Sequence, residues 1–293
     1  MNGWVILNKP LGMSSTQAST AVKRICGMKK AGHAGTLDPL ASGVLPIALG
    51  EATKAIPYMV NCRKAYAFRI IWGEARTTED AEGEVVATSN HRPNEQEIVA
   101  ILPQFRGEIT QIPPRFSAIK IQGKRAYELA RAGEQVEMPS RRVKIYDLVL
   151  GESSRDWADL VVTCGEGTYV RSLARDIAVA LGTLGYVGAL ERTQVGPFSI
   201  KQTILLENLR EMGHKSELSQ VILPIGSVLD DIPAVTVSQA DIKKLHQGQR
   251  IPAPPQWIST GPAALWGQHD VIALADFQDG WFHPKRLFLG QTE

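Results

Sequence analysis

Short apolar segments, separated by glycine, proline and polar clusters, run along the chain with spacings that switch between strand-like and helical. Trp4 to Leu7 reads as a strand that ends at Asn8-Lys9-Pro10-Leu11-Gly12. Ser15 is placed to cap a helix whose apolar positions Ala18, Ala21, Val22 and Ile25 recur at helical spacing, with Gly27 as its C′ residue. Ala65 to Trp72 mixes aromatic and β-branched residues as a strand does. Asn94 and Glu97 form a capping-box signature ahead of Ile98, Val99, Ile101 and Leu102. Val143 to Leu150 and Ala158 to Cys164 read as adjacent strands. Thr168 then opens the clearest helix, with Val170, Leu173, Ala174, Ile177 and Leu181 on one face and Gly182 after its end.

Two stretches break this texture. Ile112 to Ser140 turns proline-rich and then basic, with one short helix near Ala126 to Ala130 stopped by Gly133, and reads as an excursion from the core. Pro224 to Ala234 reads as a linker. Beyond it, strand candidates at Val235 to Ser238 and Asp270 to Phe277, with Pro252, Pro254, Pro255 and Pro262 between them, predict a small β domain. The division is therefore residues 1–230, carrying an insertion over about 112–142, and residues 231–293.

Composition narrows the chemistry. The chain has 293 residues, 44% of them hydrophobic and 21% charged, as in an ordinary globular protein. No apolar run approaches the roughly 20 residues that cross a bilayer, and the N-terminus has neither a basic leader nor a long apolar segment, so a cytoplasmic location is expected. Cys26, Cys62 and Cys164 form no Cys-x-x-Cys pair, and the six histidines form no His-x-x-x-His pair, so no metal is expected. There is no Walker A string, and Gly165-Glu166-Gly167 lacks the third glycine of a dinucleotide fingerprint. A cofactor-free enzyme or a binding protein remains.

The net charge of +2 hides clustering. Arg115, Lys120, Lys124, Arg125, Arg131, Arg141, Arg142 and Lys144 crowd one stretch, and Lys23, Arg24, Lys29 and Lys30 form a second cluster ahead of His33, while Glu74 to Glu97 is acidic. Such clusters suit a phosphate-binding face, or two solvated surface runs.

Asp38 stands in Gly32-His33-Ala34-Gly35-Thr36-Leu37-Asp38-Pro39-Leu40-Ala41-Ser42-Gly43-Val44-Leu45, a run with almost no other charge. Pro39 pushes Asp38 toward an extended backbone, and the glycines allow tight turns. The loop would aim one acid in a fixed direction, as a nucleophile or acid/base requires, or would be an Asp-Pro turn with a helix cap. The full string resembles the catalytic motif of the TruB family, the tRNA pseudouridine synthases that act on uridine 55 of the T arm. Asn8-Lys9-Pro10 with Gly12-Met13-Ser14-Ser15, Gly50-Glu51-Ala52-Thr53-Lys54, Lys64-Ala65-Tyr66, Phe116-Ser117-Ala118-Ile119-Lys120 and Gly167-Thr168-Tyr169-Val170-Arg171-Ser172-Leu173 match further family motifs in order and spacing.

The resemblance implies an α+β fold with a mixed, largely antiparallel sheet flanked by helices, a basic thumb-like insertion and a small PUA-like, β-barrel-like C-terminal domain. It implies that Asp38 is the nucleophile and that Arg171, in the first turn of the strong helix where the macrodipole disfavours a cation, faces it. By itself Arg171 reads as an exposed arginine that pairs with Asp176 or solvent. Tyr66, otherwise a packing residue, would lie against the target base and serve proton removal at C5. Tyr169 and Leu190 would line the pocket, with Lys9 in support, and His33 would fill the space left by a flipped-out nucleotide. Lys29, Lys30, Lys120, Lys124, Arg125, Arg141 and Arg142 would hold RNA backbone. The implied activity is isomerisation of uridine to pseudouridine in tRNA by a monomer without metal or cofactor. An RNA-binding or RNA-folding protein acting without chemistry is the alternative, and a base-releasing hydrolase is disfavoured because no residue is evidently dedicated to activating water. Attack at base C6, attack at ribose C1′ and a glycal route all stay open.

Overall fold

The computed structural model describes residues 2–117, 119–121, 123–132, 137–212 and 215–288. Ala118 and Gly133, which carried parts of the motifs above, lie outside the described residues. In chain order the first elements are β1 (Gly3–Lys9), α1 (Ser15–Ile25), β2 (Ala31–His33), β3 (Ala41–Leu49), α2 (Ile56–Val60), β4 (Lys64–Trp72), β5 (Glu74–Arg76), β6 (Val85–Thr88), α3 (Glu95–Ile101) and β7 (Gly107–Gln111). A short ladder of β8 (Lys120–Ile121) and β9 (Lys124–Arg125) with α4 (Ala126–Arg131) follows. Next come β10 (Arg141–Ser153), β11 (Trp157–Cys164), α5 (Val170–Ala180), β12 (Gly185–Val195), β13 (Phe198–Ser199), β14 (Ile204–Leu205), α6 (Leu206–Glu211) and α7 (Lys215–Gln220).

These strands form one ten-stranded sheet in the order β14-β1-β3-β12-β4-β11-β10-β7, with β2 on β3 and β13 on β12. The β1–β14 and β3–β12 pairs are parallel and the others antiparallel, so the sheet is mixed and largely antiparallel as expected. The continuous apolar character of β1 has a physical cause. Val5 and Leu7 enter the core beneath α1 and α5, while Trp4 and Ile6 enter a second core on the opposite face. A strand covered on both faces needs no polar alternation. The basic excursion leaves β7 and returns to β10 at a paired position, Gln111 opposite Arg141, so it is an extension from the sheet edge.

The C-terminal part contains β15 (Ala234–Thr236), α8 (Gln239–His246), β16 (Ile251–Pro252), β17 (Pro262–Trp266), β18 (Val271–Gln278) and β19 (Trp281–Leu287), in a five-stranded sheet ordered β15-β17-β18-β19-β16. Ala264, Val271, Leu274 and Phe288 of this part join Trp4, Ile6, Val44 and Ala48 in the second core.

The segment read as a linker is instead packed structure. The Asp270 carboxylate accepts hydrogen bonds from the backbone N–H groups of Ile225 (2.7 Å) and Gly226 (2.9 Å), and Trp4 Nε1 donates to Ile225 O at 3.2 Å. A Cβ on Gly226 would stand 2.2 Å from the Trp266 ring, so only glycine fits there. Ser15 is also reassigned. Ser14 is the N-cap of α1, in a capping box with Gln17, because the chain turns helical one residue after it. Likewise α5 starts after Tyr169, not at Thr168, whose hydroxyl donates back to Gly165 O. The region read as one glycine-rich loop is divided too: Ala31–His33 and Ala41–Leu49 are strands, leaving Ala34 to Leu40 as the loop itself.

Candidate active site

Asp38 is held from three sides. The Ser15 hydroxyl, freed from capping, accepts from Leu37 N at 2.8 Å and donates to Leu37 O at 2.9 Å, pinning the preceding residue to α1. Gly12 N donates to Pro39 O (2.8 Å) and Ala41 N to Asp38 O (3.0 Å), fixing the turn that follows. Leu37 is buried beneath the loop while the Asp38 side chain stays 39% exposed, an acid on an apolar platform.

Arg171 meets it. Its side chain is only 5% exposed, and Nη2 lies 2.9 Å from Asp38 Oδ2. Nη1 lies 3.4 Å from Asp80 Oδ2, and the guanidinium also donates to Thr78 O and Phe116 O, each at 2.9 Å. A cation in the first turn of α5 opposes the helix dipole, and two carboxylates with two carbonyls offset that cost. The competing partner, Asp176, binds Arg175 instead, and Arg175 also reaches Glu79.

Asp80 was not singled out in the sequence. It is 3% exposed and sits between β5 and β6, where it accepts from Thr78 Oγ1 (2.5 Å) and Glu82 N (3.1 Å). It belongs to the stretch read only as acidic, and no local pattern distinguishes it from Glu74 or Glu84.

Tyr66 is buried on β4, opposite Val162 of β11 and Arg192 of β12. Burial pushes its phenol up from the ordinary tyrosine range, and Arg192 opposes that shift. Leu190 is buried on the same strand as Arg192, next to Ala41 and Phe68. Lys9 is fully buried, and its ammonium donates to Met13 O (2.6 Å) and Pro10 O (2.9 Å). Desolvation lowers its pKa to about 8 against the opposing pull of Asp38.

Arg192 is the second residue missed. It is 1% exposed, with Nε donating to Val44 O (2.8 Å) and Nη2 to Gly35 O (2.9 Å), the two flanks of the Asp38 loop. Alternation along β12 places it inward with Leu190, and a charge at an inward strand position is the signal that could have found it.

His33 lies on β2 at the wall of a cleft of about 260 Å³ that Thr16, Ser19, Thr20, Lys23 and Ile56 also line. Its Nδ1 is buried without a hydrogen-bond partner, and burial, then Arg192, lower its pKa. Tyr169 caps the start of α5, held by Gln111 through both backbone groups, with Arg141 5.5 Å from its ring centroid. Lys29, Lys30, Lys124 and Arg142 are exposed. Lys120 and Arg125 are opposed in the β8–β9 ladder. The geometry thus gathers Asp38, Arg171 and Asp80 into one contact chain, with Lys9, Tyr66 and Arg192 electrostatically coupled beside it, and leaves Lys29, Lys30, Lys124 and Arg142 on the surface. Among the described residues, no group of three or more His, Cys, Asp or Glu is placed to hold a metal ion, and no helix is long and apolar enough to cross a membrane.

Comparison with known proteins points the same way. Residues 23–170 match the N-terminal domain model of the TruB family pseudouridylate synthases, and residues 171–230 match the tRNA pseudouridylate synthase B C-terminal domain. The chain is 49% identical to the tRNA pseudouridine synthase B of Bradyrhizobium diazoefficiens, over 98% of this chain and 86% of that one. It is 46% identical to that of Caulobacter vibrioides, over 98% and 96%. Among solved structures it resembles a Cbf5-Nop10-Gar1 complex (TM-score 0.76, 24% identity, 99% of this chain and 85% of that one), a likeness of fold. With two family models covering most of its length and relatives near half identity from end to end, this chain belongs to the TruB family of pseudouridylate synthases, which are isomerases.

Proposed function

We propose that this protein converts uridine 55 in the T loop of tRNA to pseudouridine, with Asp38 as nucleophile on a flipped-out base. The contact chain from Asp38 through Arg171 to Asp80 carries this reading. It keeps one exposed carboxylate beside a buried cation whose own geometry is locked by a second, buried carboxylate. Two relatives that match nearly the whole chain are tRNA pseudouridine synthases by name, which supports tRNA as the substrate. The isomerisation breaks the N1–C1′ bond, turns the base and joins C5 to C1′. One proton leaves C5 and one is gained at N1, so no redox partner is needed.

In this reading Tyr66, Tyr169 and Leu190 enclose the base, Lys9 supports the Asp38 side of the pocket, and His33 occupies the stack that the base has left. Lys29, Lys30, Lys124, Arg141 and Arg142 lie on the surface or sheet edge where a phosphate backbone could pass, and Lys120 and Arg125 belong to the same basic extension. Residues 1–230 act as the catalytic domain and 231–293 as a second RNA-gripping domain, in a monomer. Incubating the purified protein with unmodified tRNA transcript and mapping pseudouridine by base tests this. Product at position 55 is expected. Unchanged RNA would favour an RNA-folding role, and free uracil a hydrolase.

A further inference from the structure

Arg192 is the buried charge that this mechanism leaves unused. Its side chain is shut from solvent, and among the described residues no carboxylate lies within ion-pair distance of it. Arg171 engages both nearby carboxylates, Asp38 and Asp80. The other charged and titratable groups that face Arg192 are Lys9 from β1, His33 from β2, Lys64 and Tyr66 from β4, and Cys164 from β11. Several of these are cations or neutral groups, so an unpaired guanidinium here is costly unless something anionic is to form beside it.

The strand register says where. Arg192 sits directly opposite Tyr66 across the β12–β4 pair and opposite Gly43 across β12–β3. Opposed residues on paired strands bring their Cβ atoms within about 5.5 Å. Gly43 makes the approach of β3 possible, since a Cβ there would stand 2.3 Å from Arg192 O. Two donors of Arg192 are committed to Val44 O and Gly35 O, which orient the plane, and its side chain is set beside that of Tyr66 by their opposed strand positions.

We propose that Arg192 is a positioning residue that holds the Tyr66 oxygen toward C5 and stabilises its anionic form during proton removal, while tying the Asp38 loop to the same strand. The inference rests on the assignment of Tyr66 in the proposed isomerisation. In the step itself the C5–H electron pair stays in the base to restore its double bond. Tyr66 first gives up its phenol proton, which N1 of the detached base takes up directly or through solvent, and the phenolate so formed then receives the C5 proton, so that Tyr66 ends neutral as it began. Burial alone makes the phenolate hard to form, Asp38 and Cys164 work in the same direction, and Arg192 is the group that opposes them.

The test uses single-turnover rates on tRNA transcript carrying protium or deuterium at uridine C5, with tRNA affinity measured alongside. Arg192→Met should bind tRNA within about threefold of wild type yet react about 100-fold more slowly, the usual scale of general acid–base assistance. Its C5 isotope effect should rise above the wild-type value, and Arg192→Lys should recover part of the rate by keeping the charge. In a Tyr66→Phe background the same Arg192→Met change should cost less than about threefold, because the two residues act as a unit. Equal losses in both backgrounds with an unmoved isotope effect would overturn the proposal and leave Arg192 a structural tie. If Arg192→Met does not fold, the isotope effect of Arg192→Lys decides on the same criterion. Wild-type protein that makes no pseudouridine would defeat the functional reading and this inference together, whereas wild-type product with additive mutants would defeat this inference alone.

Discussion

Arg171 and Arg192 are both buried and both hold the Asp38 loop, yet their surroundings are opposite. Arg171 has a carboxylate at each end, Asp38 at 2.9 Å and Asp80 at 3.4 Å. Arg192 has carbonyls and a phenol. The first is a closed ion network that fixes the proposed nucleophile before substrate arrives. The second leaves positive charge uncompensated where, in the proposed reaction, a phenolate forms. One fold thereby uses the same side chain for ground-state order and for charge that appears later, and the mutants that separate these roles should differ in kind.

The largest effect is expected from Arg171. Arg171→Met would strand Asp80, which is nearly inaccessible to water, and breaking such a buried pair costs about 3–5 kcal/mol. Melting temperature and single-turnover rate should fall together. Asp80→Asn keeps the size and most hydrogen bonds, so it should lower the rate by a smaller factor with little loss of stability. If Asp80→Asn proved as damaging as Arg171→Met on both counts, the network would depend on Asp80 rather than on the cation. Calorimetry and rapid-quench assays on the two variants check this.

His33 comes next. It touches neither arginine through a hydrogen bond, its buried Nδ1 is unpartnered, and the residue lines a cleft. If it props open the RNA, His33→Ala should slow turnover on folded tRNA about tenfold, equivalent to roughly 1.4 kcal/mol, and scarcely on a flexible oligonucleotide. Equal slowing on both substrates would move His33 into the chemistry.

The smallest effect is a pH dependence. Lys9 has its pKa lowered to about 8 by burial, whereas the unfolded chain holds that proton to about 10.5. Between those values the unfolded state binds more protons, so the Lys9 contribution makes folding stability rise with pH across that window. Denaturant titrations of wild type and Lys9→Met should differ in slope against pH there and run parallel below about pH 7. Parallel curves throughout would mean that Lys9 is not desolvated in solution.

How much of this was legible follows from where the determining contacts lie. The turn at Asp38 was readable because proline and glycine punctuate it locally, whereas Arg171 read alone as an exposed arginine, and only the family motif set it against Asp38. Ser15 was half readable. Its position at a helix start was evident, but the bond to Leu37 that makes it an anchor for the active site closes only in the tertiary structure. The supposed linker failed for the same reason, since Asp270 satisfies Ile225 and Gly226 from far along the chain. Strand β12 escaped notice because irregular register between Val187 and Ala189, and again between Arg192 and Gln194, blurs its alternation. With the strand went Arg192. Asp80 had no local mark at all: its meaning is the single distance to Arg171.

In the proposed reaction Asp38 performs nucleophilic chemistry within a site already assembled around it. Asp38→Asn is nearly isosteric and can still accept a hydrogen bond from Arg171, so the fold and the tRNA affinity should survive. A tritium-release assay on tRNA labelled at uridine C5, run with stoichiometric enzyme beside a binding titration, tests the claim most directly. Wild-type affinity with release at background is expected. Release near the wild-type rate, with contaminating enzyme excluded, would contradict it.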